Sequence, residues 1–486
     1  MTKRKQCTQL CLLIGGITFI SFGLLISVYI EYIYELLLNQ ALKFTPDSEA
    51  FKAWKINEPP LDLNLYLFNW TNPDDITDPT VKPHFEEVGP YSVKEVKEKT
   101  NLTWHDNSTI SYRFRKFYYY DSKSSPRKME DDNITTINTV PLTIGFKAKN
   151  FSFFLKRLIS MSLSSISKLY VRKTAKEILF DGYEEGILSV LSSLPLVDVQ
   201  NKFGIFYGRN GTIDNNSIMS MYTKNDENFG QQLTWNYKNH TDFYRGHCND
   251  VRGSAGEFYP LNIKKTKIVL YSAELCKYAE LEFVREEEIK GVMGYRFTAD
   301  NIFDNGTLRP ENRCFCGDEC IPSGVLDISV CRQNSPTYLS FPHFHAADSY
   351  YTDPIDGMRP NKSKHEFYMV IEPNSGIIME LSANMQLNML LQPIQGLSLY
   401  RNMPKIYMPI FYFSQTVELN DDLAIKLRVI QGLPDYLRYS SFFLIVIGIF
   451  LTIWAACLMF NFCLPSDIIK KDFPEEIPLN EKIVKM

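Results

Sequence analysis

The chain has 486 residues, 45% of them hydrophobic and 22% charged, and a formal net charge of −4. That balance excludes wholesale disorder, and the sign of the charge excludes a general nucleic-acid binder. Aromatic residues reach 14%, a density that needs large buried surfaces or an apolar cavity to line, while the slightly negative mean hydropathy excludes a polytopic membrane bundle.

Residues 1–9 form a short tail carrying Lys3, Arg4 and Lys5. Residues 10–30 carry no charge, and roughly 20 apolar residues suffice to cross a hydrocarbon core. The run is longer than the apolar region of a signal peptide, about 7–15 residues. Glu31 to Glu35 follow it in place of a small-residue cleavage site, so a retained anchor is expected. Basic residues stay cytoplasmic, which puts the N-terminus inside and residues 31–439 outside.

The outer part carries ten Asn-x-Ser/Thr sequons, at Asn69, Asn101, Asn107, Asn133, Asn150, Asn210, Asn215, Asn239, Asn305 and Asn361. They predict a glycosylated ectodomain. Tyr112 to Arg115 alternate as a strand does. From Asn133 to Lys176 there are eight basic residues and no acidic one: Lys147, Lys149, Lys156, Arg157, Lys168, Arg172, Lys173 and Lys176. Phe151, Phe154, Leu155, Leu158 and Ile159 recur at helical spacing, continued by Ile166 and Leu169, and a second helix is expected over 173–180. A basic helical island on an acidic body creates a positive field for anionic partners. The bland alternative is a solvated helix face.

Six cysteines follow, Cys248, Cys276, Cys314, Cys316, Cys320 and Cys331. In an oxidising compartment they read as three disulfides with about 15 possible connectivities, in preference to a metal site. Lys267 to Ala273 and Glu366 to Ile371 are strand candidates. Asn384 to Gln392 alternates so that Met385, Leu387, Met389 and Leu391 share one face, a half-buried strand. Strands of this kind, parted by turns such as Glu372 to Gly376, argue for an antiparallel sheet or barrel. His343 and His345 form a His-x-His pair, for which a structural loop is the favoured reading. No metal or cofactor is expected, and with no nucleotide-binding or nucleophile motif in the chain, neither is an enzyme.

Residues 440–464 are the second uncharged span. Residues 465–486 form a cytoplasmic tail with Lys470 and Lys471. Cys7 and Cys463 beside the spans are palmitoylation candidates. Cys11 and Cys457 lie close by.

Several motifs together resemble the class B scavenger receptor family. They are Phe68-Asn69-Trp70-Thr71-Asn72-Pro73, Glu87-Val88-Gly89-Pro90-Tyr91, Arg313-Cys314-Phe315-Cys316 and Gly324-Val325-Leu326-Asp327-Ile328. Pro342-His343-Phe344, Pro354-Ile355-Asp356-Gly357-Met358, Ile371-Glu372-Pro373 and the stretch from Gln386 to Pro393 complete the set. The family includes the fatty-acid translocase, the lysosomal integral membrane protein, croquemort and the sensory neuron membrane proteins, and Asn69 to Pro73 is worded most like the insect branch.

The resemblance implies an α+β fold: a two-pass membrane protein whose ectodomain is an antiparallel β-barrel with a lipid tunnel and an apical helical bundle. It implies the pairs Cys248–Cys314, Cys276–Cys331 and Cys316–Cys320. It also implies ligand binding at the apex, where Lys156, Arg157, Lys168, Arg172, Lys173 and Lys176 fall. The family's fatty-acid translocase has a Lys-x-Lys pair where Leu163-Ser164-Ser165 stand here. The expected function is that of a scavenger and lipid receptor binding lipids, lipoproteins or anionic membrane surfaces and passing hydrophobic cargo to the membrane. The alternatives are an adhesion or engulfment receptor without lipid passage, or a chemosensory co-receptor for hydrophobic odorants. A second copy of the chain or a signalling co-receptor completes the expected partners. A tail without tyrosine favours the plasma membrane over a lysosomal or endosomal one.

Overall fold

A computed structural model describes residues 2–57, 60–193, 200–214, 217–317 and 319–460, with backbone only at residues 2–6 and 460. Two compact units emerge, one built from the two ends of the chain and one from residues 42–427.

In the first unit, helix α1 (Thr2–Val28) is followed by α2 (Ile30–Ala41). A long C-terminal helix, which begins at Asp421 and runs to Phe460, supplies the other side. Cys7–Val28 and Asp421–Met459 are long and apolar enough to cross a membrane. Gly16 and Gly448 meet backbone to backbone: a Cβ on Gly16 would lie 2.8 Å from the Gly448 carbonyl oxygen, and one on Gly448 would lie 2.7 Å from that of Gly16. Gly23 opposes the Ser441 carbonyl in the same way. In lipid, where apolar surface gains nothing by being hidden from tails, small residues bring helices close enough for van der Waals packing. Phe22, Leu25, Phe442, Phe443 and Phe450 face outward, as side chains in contact with lipid tails do.

The second unit is built in chain order from α3 (Glu49–Lys55), β1 (Leu61–Trp70), β2 (Phe85–His105), β3 (Thr109–Tyr120), β4 (Asn133–Ile137), α4 (Thr139–Ala148), α5 (Phe153–Ile166), β5 (Tyr170–Thr174), β6 (Tyr183–Glu184) and α6 (Gly186–Ser192). There follow β7 (Lys202–Phe203), β8 (Met219–Tyr222), β9 (Gln232–Trp235), β10 (Lys267–Ser272), β11 (Lys277–Ile289), β12 (Val292–Thr298), β13 (Val325–Asp327) and β14 (Thr337–Ser340). The one-turn α7 (Lys362–His365), β15 (Tyr368–Ile371), β16 (Ile378–Leu391) and β17 (Ile406–Glu418) lead to the C-terminal helix, α8 (Asp421–Phe460).

Eleven strands pair antiparallel in the order β10-β11-β12-β15-β16-β17-β1-β2-β3-β8-β9, with β14 branching from β16 and β13 from β14. The two ends of this path are joined by residues 253 and 254. The Gly253 carbonyl accepts from the Gln232 amide of β9 at 2.8 Å, and the Ser254 amide donates to the Val269 carbonyl of β10 at 2.9 Å. Gly253 has φ +98°, and a Cβ there would lie 2.7 Å from the Val269 carbonyl. Only glycine fits, so a single residue type nearly closes the barrel. Closure removes the exposed edges that an open sheet of this size would present.

Among the described residues, disulfides join Cys248 to Cys314, Cys276 to Cys331 and Cys316 to Cys320. The first two close loops of 66 and 55 residues, long enough to contribute on the order of 4 kcal/mol each in the chain-entropy account.

Two local expectations are corrected. Met385, Leu387, Met389 and Leu391 do share one face of β16, but the strand is buried on both sides. Asn384, Gln386 and Asn388 are fully enclosed: the His343 amide donates to Gln386 Oε1 at 2.6 Å, Asn388 Nδ2 to Ser340 Oγ at 3.0 Å and Asn384 Nδ2 to the Glu366 carbonyl at 2.8 Å. The second helix expected over 173–180 starts later: Arg172 and Lys173 still belong to β5, paired with Thr135 and Ile134. Residues 175–181 then coil, ending in the wide turn Glu177–Asp181.

Candidate functional site

Strands β4 and β5 form a two-stranded ladder, and the chain between them makes α4 and α5. Helix α4 is held by Val140, Leu142 and Ala148, all buried. Its Gly145 lies against Ile394, Leu397 and Tyr400, where a Cβ would come within 3.1–3.3 Å of their side chains. Helix α5 is fastened by small groups. Ser160 Oγ and Ser164 Oγ hydrogen-bond Ser398 Oγ at 3.0 and 2.6 Å, and Leu163 packs with Val140 and Ile187. Beneath it, buried Glu185 accepts from Ser167 Oγ at 2.6 Å and caps α6 by accepting from the Ile187 amide at 2.8 Å.

The apolar stripe of α5 therefore does not face the core, as such stripes usually do. Phe153 is 75% exposed, Phe154 73% and Met161 64%, with Phe151, Leu155 and Leu158 also exposed. Of the stripe foreseen from sequence, Ile159 turns partly inward to pack with Leu163, and Leu169, beyond the helix end, packs against the core.

The structure divides the six basic candidates. Arg157, Lys168 and Arg172 are exposed and Lys156 is half-buried. None of these four makes an ion pair among the described residues. Lys173 Nζ lies 3.6 Å from Glu177, and Lys176 Nζ lies 3.3 Å from Glu130 and 3.6 Å from Asp181. The hydrogen bond that Lys176 donates to Glu130 and the charges of Asp181 and Glu130 raise its pKa, against desolvation. Of the six candidates four thus stay free of acids, because the fold brings acids from either side of the acid-free segment back onto its end.

Sequence reasoning overlooked two polar clusters on the strands of the barrel. Lys99, 1% exposed, is paired with Glu257 at 2.5 Å and lies between the rings of Trp54 and Phe114, 5.1 and 5.9 Å from their centres. Trp54 Nε1 and Tyr112 Oη close by are buried without a hydrogen-bond partner among the described residues. Burial pushes the Lys99 pKa down, against the pull of Glu257. The signal was present: Tyr91, Val93, Glu95 and Lys99 fall on one face at period two, so Tyr91 and Val93 carry Glu95 and Lys99 inward with them.

The second cluster joins Glu87, His343, His365 and Tyr412. His343 Nδ1 accepts from the Arg359 amide at 3.1 Å, so Nε2–H donates to Glu87 at 2.6 Å, and Tyr412 Oη donates to the same oxygen at 2.8 Å. His343 stacks on His365, ring centres 4.9 Å apart. Burial opposes ionisation of Glu87, but the hydrogen bonds from His343 and Tyr412 hold its pKa below the usual value. Burial, then the neighbouring His343, pushes His365 down to about 4. His345 lies beside Phe341 instead, so the His-x-His pair is split. The three-residue cluster His247, Cys248 and Cys314 has its two sulfurs joined in a disulfide, which leaves no thiolate for a metal.

Among the sequons, Asn305 is corrected. It is 7% exposed and its Nδ2 donates to the Val325 carbonyl at 2.8 Å; an oligosaccharide on that nitrogen is incompatible with this fold. Asn101, Asn107, Asn133, Asn150, Asn210, Asn239 and Asn361 are exposed and Asn69 is half-buried on β1. Asn215 lies outside the described residues, as do Cys463 and the tail from 465. Cys7 is exposed and free.

A comparison with protein families matches residues 13–459 to the CD36 family. Protein peste of Drosophila melanogaster is 34% identical over 468 residues, covering 93% of this chain and 83% of its own. Lysosome membrane protein 2 of Mus musculus is 31% identical, covering 84% and 86% of the two chains. Scavenger receptor class B member 1 of Bos taurus is 27% identical, covering 89% and 86%.

Proposed function

The chain belongs to the CD36 family, and from that premise we propose that this two-pass membrane protein is a cell-surface scavenger and lipid receptor. Its helical layer captures anionic lipid, lipoprotein, or apoptotic or microbial surfaces, and hydrophobic cargo then passes through the interior of the barrel to the membrane. The family is one of receptors, not enzymes, and the reading needs no covalent step.

One observation carries it: Lys156 and Arg157 on α5, Lys168 just past its end and Arg172 on β5 have no acidic partner among the described residues, on a body that is acidic overall. A cation near an anionic lipid surface contributes about 1 kcal/mol, so four supply roughly 4 kcal/mol, about a thousandfold in affinity. That attraction fades within a Debye length of about 8 Å at physiological salt, so capture is salt-sensitive. One relative is named a scavenger receptor and another a lysosome membrane protein. The first supports the receptor reading; the second keeps a lysosomal membrane as the alternative address.

A second reading, capture or engulfment without lipid passage, is favoured by one feature. Many large rings are fully enclosed in the unit that carries the barrel, among them Trp70, Tyr91, Tyr112, Tyr259 and Tyr407, which favours a packed body over an open passage. Uptake of a fluorescent fatty acid and of phosphatidylserine vesicles by expressing cells separates the two. Passage and capture both above empty cells support the first reading. Vesicle capture with fatty-acid uptake equal to empty cells supports the second, and neither signal contradicts both.

A further inference from the structure

Helix α5 is built the wrong way round for a core helix. Serines hold it to the body, and the ridge Phe154, Leu158, Met161, one helical face at i, i+4, i+7, projects into solvent beside Phe153. Large rings left outside at that exposure mark a surface that something covers. Three features identify what covers it.

Arg157 emerges within the ridge itself, and Lys168 and Arg172 follow it, all exposed and none paired with an acid among the described residues. That charge repels a second copy of the same helix, because pairing would bring unneutralised cations together. The ridge is a convex helix face, and a fluid lipid leaflet moulds to such a face without a preformed groove. Aromatic and aliphatic side chains beside long cations suit the boundary between headgroups and acyl chains, where the guanidinium reaches back to phosphate.

We propose that Phe153, Phe154, Leu158 and Met161 insert into the outer leaflet of an anionic phospholipid bilayer, with Arg157, Lys168 and Arg172 held at its phosphates. The inference rests on the capture role given above and adds the step after Coulomb attraction. Attraction brings the surface in and is lost in salt; insertion is not, and fixes the surface in place.

The test uses the full-length protein in neutral nanodiscs and vesicles of phosphatidylcholine with or without phosphatidylserine, some carrying brominated acyl chains. Phe154→Trp adds an indole to the ridge, and its emission is read as the difference from the parent protein. Quenching of that added emission by brominated chains is the expected result. Phe153→Ser with Phe154→Ser should then weaken binding about tenfold for each ring removed, from the burial value of an aromatic side chain, while Phe154→Leu retains most of it. Urea midpoints within a few tenths of the parent show that the variants are folded.

Vesicle binding lost in Arg157→Glu with Lys168→Glu and Arg172→Glu, but untouched by the serine pair and unquenched, overturns insertion and leaves Coulomb capture standing. An absence of vesicle binding in the parent overturns both. Self-association lost in the serine pair, with no quenching, overturns the lipid assignment in favour of a second copy.

Discussion

Lys99 and Arg157 are both cations beside aromatic rings, in opposite settings. Lys99 is buried on barrel strand β2, paired with Glu257 and flanked by Trp54 and Phe114. Arg157 stands on α5 in water, without an acid among the described residues, one turn from Phe153 and Phe154, which are also in water. In the barrel, each charge taken out of water is matched by an opposite charge or by hydrogen bonds, since an unmatched one costs several kcal/mol. In the helical layer, charges and rings are left unmatched, a state that water tolerates for the charges and disfavours for the rings. Stability explains the first arrangement. It does not explain the second, and that is why the helical layer is read as the binding surface.

The comparison is broken most severely by Lys99→Ala, which strands Glu257 against buried rings. The expected loss is about 3 kcal/mol, at the low end for a broken buried pair because Glu257 is partly exposed. Lys99→Met with Glu257→Gln should recover most of it, and urea unfolding followed by tryptophan emission measures both. Equal stability of Lys99→Ala and the parent contradicts the reading of a closed, matched interior.

Next in size is Gly253→Val, which asks a β-branched residue to hold φ +98° with its Cβ against the Val269 carbonyl. A loss of roughly 2 kcal/mol is expected from the strained backbone alone. Faster amide exchange confined to β9 and β10 would place the damage at the seam.

A smaller effect is tied to pH. The unfolded chain protonates a histidine near pH 6.5, whereas buried His365 does so only at about 4. Between those values the unfolded state holds the extra proton, so stability falls as the pH falls. Glu87, held below its usual range, acts in the same direction at lower pH, because its ionised form is favoured by folding and is lost on acidification. A decrease of about 2 kcal/mol between pH 7 and 4 is expected at His365, and His365→Asn should flatten that slope. A parent protein as stable at pH 4 as at pH 7 contradicts it. Smallest of all on stability are Arg157→Glu, Lys168→Glu and Arg172→Glu, each within about 0.5 kcal/mol.

Much of this contrast was legible in the sequence and part was not. The spans announce themselves by length, and the strands around Tyr112, Val269 and Met385 by alternation, because one physical rule governs each. α5 was legible as a helix but not in its orientation: an apolar stripe records that a face is apolar, and only the packing of Ser160 and Leu163 decides which face turns in. The acid-free run from Asn133 to Lys176 was legible, but its neutralisation at Lys173 and Lys176 was not, since Glu130, Glu177 and Asp181 lie outside the run and reach it only in three dimensions. Asn305 has the same sequon as Asn150 and the opposite burial, a difference of tertiary packing that three residues cannot encode. Lys99 was readable from the period-two neighbours of Tyr91, once a charged residue is allowed to follow the pattern inward.

The most direct measurement is flotation of the full-length protein, held in neutral nanodiscs, with phosphatidylserine or phosphatidylcholine vesicles at low and high salt. The parent is compared with the triple change Arg157→Glu, Lys168→Glu and Arg172→Glu. Preference for the anionic vesicles, weakened by salt and reduced about a hundredfold by the triple change, is the predicted result. Binding indifferent to lipid charge and to the triple change would contradict the helical layer as the capture surface.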